Sequence, residues 1–134
     1  MFGSVFLFFK NHQVVGNYNK IIKINDISIS VEVADTSEAR IKGLADRNML
    51  PDDSGMLFIF DTPAQYGFWM KNMNFAIDIV WIDENLRVIG IEKRVSPKTF
   101  PKVFYPKSSA KYVLELPAGF TDKYRVDTGQ FVTI

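Results

Sequence analysis

Between Lys20 and Val33 the chain changes character every second residue. Ile21, Ile22 and Ile24 lead to the polar pair Asn25-Asp26, after which Ile27, Ile29, Val31 and Val33 alternate with Ser28, Ser30 and Glu32. A period of two with a polar pair at its centre predicts a half-buried β-hairpin. The pattern then lengthens. Asp35 and Thr36 can each cap a helix, Glu38 stands three positions after Asp35 as in a capping box, and Ile41 and Leu44 fall on one face before Gly43 and Asp46 weaken the run. A helix this short needs docking to persist, because isolated helices under ~12 residues are marginal.

Beyond Met49-Leu50-Pro51 and the acidic turn Asp52-Asp53-Ser54-Gly55, Met56 to Phe60 reads as a buried strand that Thr62-Pro63 ends. Phe68 to Lys71 is extended. Phe75 to Ile82 is the most hydrophobic strand in the chain, and the turn Asp83-Glu84-Asn85 joins it to a hairpin partner over Arg87 to Glu92. Pro97, Pro101 and Pro106 mark residues 96–110 as a long loop, a length that in compact domains usually carries function or disorder. Tyr112 to Leu116 returns to strand, Thr121 caps a helical turn through Arg125, and Phe131 to Ile134 forms the last strand. Many short strands at close spacing predict a mainly β fold, a single compact β-sandwich or pseudo-barrel with one or two short helices.

The periodic region spans residues 20–134 and reads as one β-rich domain; residues 1–19 read as an N-terminal extension. Its apolar run, Met1 to Phe9, is too short to cross a bilayer, which takes ~20 residues. Three readings of it stand: a start-site artefact, a strand packed on the domain, or the tail of an export or anchor segment.

Composition narrows the chemistry more than it narrows the fold. A chain of 134 residues supports one core, and twelve Phe, five Tyr and two Trp supply its apolar area. Sixteen Lys and Arg against fifteen Asp and Glu leave a net charge of +1, so no global field draws the protein to nucleic acid or anionic membrane. Cysteine is absent, which removes disulfides, thiolate metal sites and thiol nucleophiles together. The one histidine, His12, lies upstream of the domain, so a Ser-His-Asp triad or a histidine-bearing zinc site within it is not expected. No metal and no cofactor are expected, and what chemistry remains rests on carboxylates, lysine, arginine and hydroxyls.

Two carboxylates stand out against that background. Asp78 interrupts Phe75-Ala76-Ile77-Asp78-Ile79-Val80-Trp81-Ile82, and Glu115 interrupts Tyr112-Val113-Leu114-Glu115-Leu116. By alternation Asp78 shares a face with Ala76, Val80 and Ile82, and Glu115 shares one with Val113. An unpaired carboxylate there costs several kcal/mol, so each needs donors or keeps its proton. Arg47, Lys71 and Asn72 are the donor candidates for Asp78. The structural alternative is that both acids anchor the fold.

Several blocks in order carry a resemblance: Val31-Glu32-Val33-Ala34-Asp35-Thr36, Arg40 with Gly43-Leu44 and Arg47, Gly55-Met56-Leu57-Phe58-Ile59-Phe60, Phe68-Trp69-Met70-Lys71-Asn72, Asp78, and Tyr112-Val113-Leu114-Glu115-Leu116-Pro117-Ala118-Gly119. Together they resemble the prokaryotic family called domain of unknown function 192, from about Ile27 to the C-terminus. The resemblance implies a small β-rich fold, often preceded by an export signal or membrane anchor, and supplies no function. This chain departs from the usual pattern at Ala45, Met73 and Ala76; Met73 replaces a threonine and removes a hydroxyl from any site there. The recurrent polar positions carried over are Arg47, Lys71, Asn72, Asp78 and Glu115, expected to converge near one end of the sheet with Trp69 and Tyr105 as an aromatic wall.

A second lead is the stretch Lys93 to Lys111, which holds Lys93, Arg94, Lys98, Lys102, Lys107 and Lys111 with no acid, interleaved with Phe100, Phe104 and Tyr105. Such a loop can hold single-stranded nucleic acid, although a solvated loop is the commoner meaning of a charge run. The leading expectation is a non-catalytic binding or accessory module acting outside the cytoplasm: secreted, periplasmic, or anchored on the outer side of a membrane. A carboxylate-dependent hydrolase using Asp78 and Glu115 is the alternative, and nucleic-acid binding through Lys98 and Lys102 comes third. The partners expected are a small molecule, a glycan or an anionic surface, with a membrane reached only through an N-terminal anchor and the domain itself a monomer.

Overall fold

A computed structural model describes residues 18–134; the Met1–Phe9 run, and with it the export or anchor reading, lies outside the described residues. The strands are β1 (Lys20–Ile24), β2 (Ile27–Ala34), β3 (Ser54–Ala64), β4 (Phe68–Trp69), β5 (Ile77–Ile82), β6 (Val88–Val95), β7 (Val103–Phe104), β8 (Ala110–Pro117) and β9 (Val132–Thr133). Two short helices, α1 (Ser37–Lys42) and α2 (Phe120–Lys123), and a 3-10 turn at Pro97–Thr99 complete the set. Seven strands form one sheet in the order β6-β5-β8-β3-β2-β1-β9, and β4 pairs with β7 as a separate ribbon. The large sheet curls until its edges meet: a bridge joins Arg87 to Phe131, and Val132 N donates to Leu86 O at 2.8 Å. The result is a half-barrel tied at one end.

Local chemistry accounts for most of these elements. Asn25 and Asp26 both take positive φ, 51° and 62°, the turn geometry that matches the twist of a two-residue hairpin. β2 and β3 run parallel, so a crossover must link them, and α1 is that crossover. Thr36 caps α1, accepting from Ala39 N at 3.1 Å, so the expected Asp35–Glu38 capping box does not form. Pro63 lies inside β3 and does not end it. Pairing with β8 is irregular between Ile59 and Ala64, so the missing N–H costs no ladder bond. The expected 96–110 loop is also partly ordered, because Val103–Phe104 pairs with Phe68–Trp69.

Both faces of the sheet are buried. Ile22, Ile29, Val31, Leu57, Val80, Leu114 and Leu116 fill the inside of the curl, while Met56, Phe58, Met70, Ile79, Trp81 and Val113 form a second cluster on the outside. All six residues of β5 are buried, which explains why every one except Asp78 is apolar.

Asp78 belongs to the inner face. Its carboxylate accepts from Arg94 N (2.8 Å), Gly119 N (3.1 Å), Thr121 N (2.9 Å) and Thr121 Oγ1 (2.6 Å). The expected donors Arg47, Lys71 and Asn72 take no part. A register shift in β6 between Val95 and Glu92 brings Arg94 to a φ of 49° and turns its amide onto the acid. Gly119, at φ 88°, serves the same end, and a Cβ there would stand 2.8 Å from the Arg94 guanidinium that covers it. Thr121 therefore sits inside α2 instead of capping it, and its hydroxyl is spent on Asp78. Asp78 thus ties β5, β6 and α2 together. Replacing Asp78 with Asn turns one acceptor into a donor facing N–H groups and should lower unfolding stability by roughly 2–4 kcal/mol. Urea denaturation measures this, and a change under 1 kcal/mol (order of magnitude,) would remove the anchor role.

Candidate functional site

Between α1 and the β4 segment, on the outer face of the sheet, opens a cleft of about 680 Å³. Its position follows from the crossover: α1 must pass over β3, and the turn Gly43–Arg47 then descends toward residues 70–74. Asp46 N donates to Asn72 O at 2.9 Å and Asn74 Nδ2 to Arg47 O at 2.9 Å, so two chain segments are stitched into one lip. Asp46 and Asn72 hold this lip with positive φ, 67° and 58°.

The walls are aromatic. Phe60 and Tyr66 stack with centroids 3.6 Å apart, and Phe68 meets Phe58 edge-on at 4.9 Å. Trp69 also lines the cleft, tilted against Phe100 at 5.2 Å. Three cations stand at the rim. Arg40 lies over Phe60 and donates to Ile59 O at 2.8 Å, Lys71 lies over Trp69 at 5.6 Å, and Lys42 pairs with Asp46 at 3.3 Å. Gly43 ends α1 with φ 50° and ψ −134°, a conformation that L side chains rarely adopt. A Cβ on it would come within 3.3 Å of the Phe58 ring and 3.9 Å of Glu115 Oε1, so glycine keeps the cleft open down to that carboxyl.

Glu115 forms the floor. Only 5% of its surface is exposed, no hydrogen-bond donor or ion-pair partner among the described residues reaches its carboxyl, and Oε1 opens toward the cleft beside Gly43. Burial pushes its pKa from 4.5 up to about 8, against a smaller downward pull from Arg47. Burial thus favours the protonated form of Glu115, which presents an O–H donor together with a carbonyl acceptor.

The cation that could have paired with Glu115 is held elsewhere. In the outer-face register Glu32 pairs with Met56 and Met56 with Glu115, so the two acids flank one methionine. Arg47 binds Glu32 through both nitrogens, at 2.7 and 3.0 Å, and those bonds raise its own pKa. Glu32 was not anticipated, because strand alternation alone assigns it to solvent.

The expected polar cluster therefore divides. Lys71, Asn72 and Glu115 line the cleft, Arg47 lies behind its lip on Glu32, and Asp78 is on the other face of the sheet. The register decides the last point: Ile79 pairs with Glu115 and Asp78 with Leu116, so the two carboxylates point in opposite directions. They cannot serve one substrate as acid and base. The expected wall also changes, because Tyr105 packs against the Gly67 backbone and lines a separate hollow of about 230 Å³ with Trp81. The basic loop is partly committed as well: Lys93 and Arg94 pair with Asp122 at 2.7 and 3.4 Å, and Lys102 lies over Phe104. Lys98 stays exposed. Among the described residues no group of three or more acids and histidines could hold a metal, and no helix is long and apolar enough to cross a membrane.

The Glu115 environment gives a pH test. Its folded pKa lies above its unfolded value, so its contribution to stability is full below pH 4.5 and is lost as pH rises to about 8. Glu115→Gln keeps the shape of the neutral acid and cannot ionise, so its unfolding free energy should stay level over that interval while that of the parent protein falls. Urea midpoints across the range read the difference, and parallel curves would place the Glu115 pKa near its ordinary value.

Comparison with known proteins supplies a family and no activity. The sequence profile of the DUF192 family, described as Uncharacterized ACR, matches residues 20–134. A UPF0127 protein of Thermococcus sibiricus is 30% identical over 103 residues, 74% of this chain and 62% of that protein; the chain thus spans less than two thirds of that relative. A UPF0127 protein of Pyrococcus abyssi is 29% identical over 126 residues, covering 89% of this chain and 95% of its own length. Among solved structures, a protein of unknown function from Novosphingobium aromaticivorans superposes with a TM-score of 0.81 at 25% identity, covering 85% of this chain and 84% of that one. A Sinorhizobium meliloti protein, described only provisionally as a transcription regulator, superposes with a TM-score of 0.75 at 28% identity over 78% of this chain and 81% of its own. With the profile matching the whole β-rich domain and both neighbours sharing its fold, the chain belongs to the DUF192 family of uncharacterised prokaryotic proteins.

Proposed function

We propose that this domain is a non-catalytic binding module that takes a small, partly apolar molecule into the cleft between α1 and β4. The observation that carries the reading is Glu115: a buried carboxyl with no protein partner, aimed into an aromatic-walled cavity. Buried polar groups are otherwise satisfied in this fold, as the four bonds to Asp78 illustrate. A ligand group that hydrogen-bonds the Glu115 carboxyl would take the place of the cleft solvent that now meets it. A cavity of several hundred Å³ with mostly apolar walls and few polar groups is the usual form of a small-molecule site.

Binding is favoured over catalysis by what surrounds Glu115. Its nearest carboxylate in the row, Glu32, is neutralised by Arg47, and Asp78 is across the sheet. Among the described residues no second carboxylate free of a cation lines the cleft with it, since Asp46 is paired with Lys42. The accessory role outside the cytoplasm rests on the sequence ahead of residue 20 and is independent of the cleft. Fractionation of cells expressing the full chain tests it, and recovery of the protein in the cytosol would remove it.

The cleft is tested by titrating a set of aromatic fragments into isotope-labelled protein and following backbone amide shifts. Shifts should concentrate at residues 40–46 and 66–73. Trp69→Ala and Glu115→Leu should each weaken the best fragment about tenfold or more, equivalent to ~1.4 kcal/mol, whereas Lys107→Ala should leave it unchanged. Shifts confined to residues 96–107 would move the binding surface to the basic loop.

A further inference from the structure

Resting on that reading of the cleft, we propose that its ligand is an amphipathic organic anion: a flat apolar body lying between the Phe60–Tyr66 stack and Trp69, an anionic group at the rim between Arg40 and Lys71, and an uncharged polar atom at Glu115. The geometry of the rim carries the assignment. Arg40 on α1 and Lys71 just beyond β4 both line the cleft, each over an aromatic ring that also lines it, and neither has a carboxylate partner among the described residues. Lys42 and Asp46 cancel each other in an exposed pair at 3.3 Å. The lining acids are thus Asp46, already matched, and Glu115, which burial keeps protonated. The opening presents two uncompensated cations to whatever enters.

The same census disfavours a cationic ligand, even though aromatic walls above a carboxyl resemble an ammonium cage. A cation would have to pass Arg40 and Lys71. It would also have to strip a proton from Glu115, which is surrounded by Phe58, Met56 and Val113 with its nearest positive charge, Arg47, engaged by Glu32. The titratable and charged groups around Glu115 and the cleft it lines are Glu32 on β2, Arg40 and Lys42 on α1, Asp46 and Arg47 on the turn after it, and Tyr66 and Lys71 on the segment around β4. Their balance is positive once the Arg47–Glu32 and Lys42–Asp46 pairs are set aside.

Three probes of one shape decide the matter: 6-hydroxy-2-naphthoate, its primary amide and the corresponding aminomethyl compound, each titrated with Trp fluorescence and amide shifts as readouts. The naphthoate should bind about tenfold tighter than the amide, and the aminomethyl compound should be the weakest. Lys71→Glu, an exposed change outside the core, should cut naphthoate affinity about tenfold and raise that of the aminomethyl compound, a crossover that general loss of structure cannot produce. Amide or aminomethyl binding as tight as naphthoate binding would overturn the anion assignment and leave the cleft a binding site. Absence of shifts with all three compounds would overturn the anion assignment together with the binding reading beneath it.

Discussion

Strand β8 sends its side chains alternately into the curl of the sheet and into the layer outside it, and from Val113 to Leu116 both destinations bury them. That constraint governs every polar group on the central strands. Leu114 and Leu116 meet it by being apolar on the inner side, and Val113 does the same on the outer. The two acids on β5 and β8 answer it in opposite ways. Asp78 is surrounded by donors drawn from a bulged strand, a glycine turn and a helical threonine, so it is a completed structural joint. Glu115, one register position away and on the other face, sits near an Arg47 already engaged by Glu32, is pushed toward its neutral form by burial, and opens onto the cleft. The fold thus supplies four donors to one buried acid, while the other opens onto the cleft with none among the described residues.

Much of this was readable from the residues. Strong alternation in β2, the Asn25-Asp26 pair and the apolar run of β5 each have a single physical outcome, and each formed. Both buried acids could be singled out because a carboxylate among branched apolar side chains demands an explanation. Which partner each would find could not be read, since partners are set by pairing between distant strands. The separation of Asp78 from Glu115 follows from Ile79 facing Glu115, a fact of register between residues far apart in sequence. The Arg47–Glu32 pair was hidden for the same reason: strand alternation places Glu32 on a solvent face, and only the descent of the Gly43–Arg47 turn brings Arg47 over it. The cleft walls were partly visible in the aromatic blocks. Their facing arrangement depends on the crossover between parallel strands, for which α1 alone gave no direction.

Local signals also misled where tertiary contacts outweighed them. Pro63 reads as a strand terminator, yet β3 tolerates it where its pairing is already irregular. Thr121 reads as a helix cap, but a buried carboxylate is a stronger claimant on its hydroxyl than exposed backbone amides are. Residues 96–110 read as loop because of three prolines, though two residues between them suffice to pair with β4 and hold Trp69 beside Phe100.

The order of strands has a consequence for how the molecule is made. β8, near the C-terminal end, is the strand that joins the β1-β2-β3 group to the β5-β6 hairpin, and β9 closes the rim against both edges. While the chain is emerging from the ribosome, the two groups exist without the strand that unites them, each with an apolar face uncovered. The sheet can be assembled only once β8 has been made, so the nascent domain passes through a stage in which the apolar faces of the two groups need shelter.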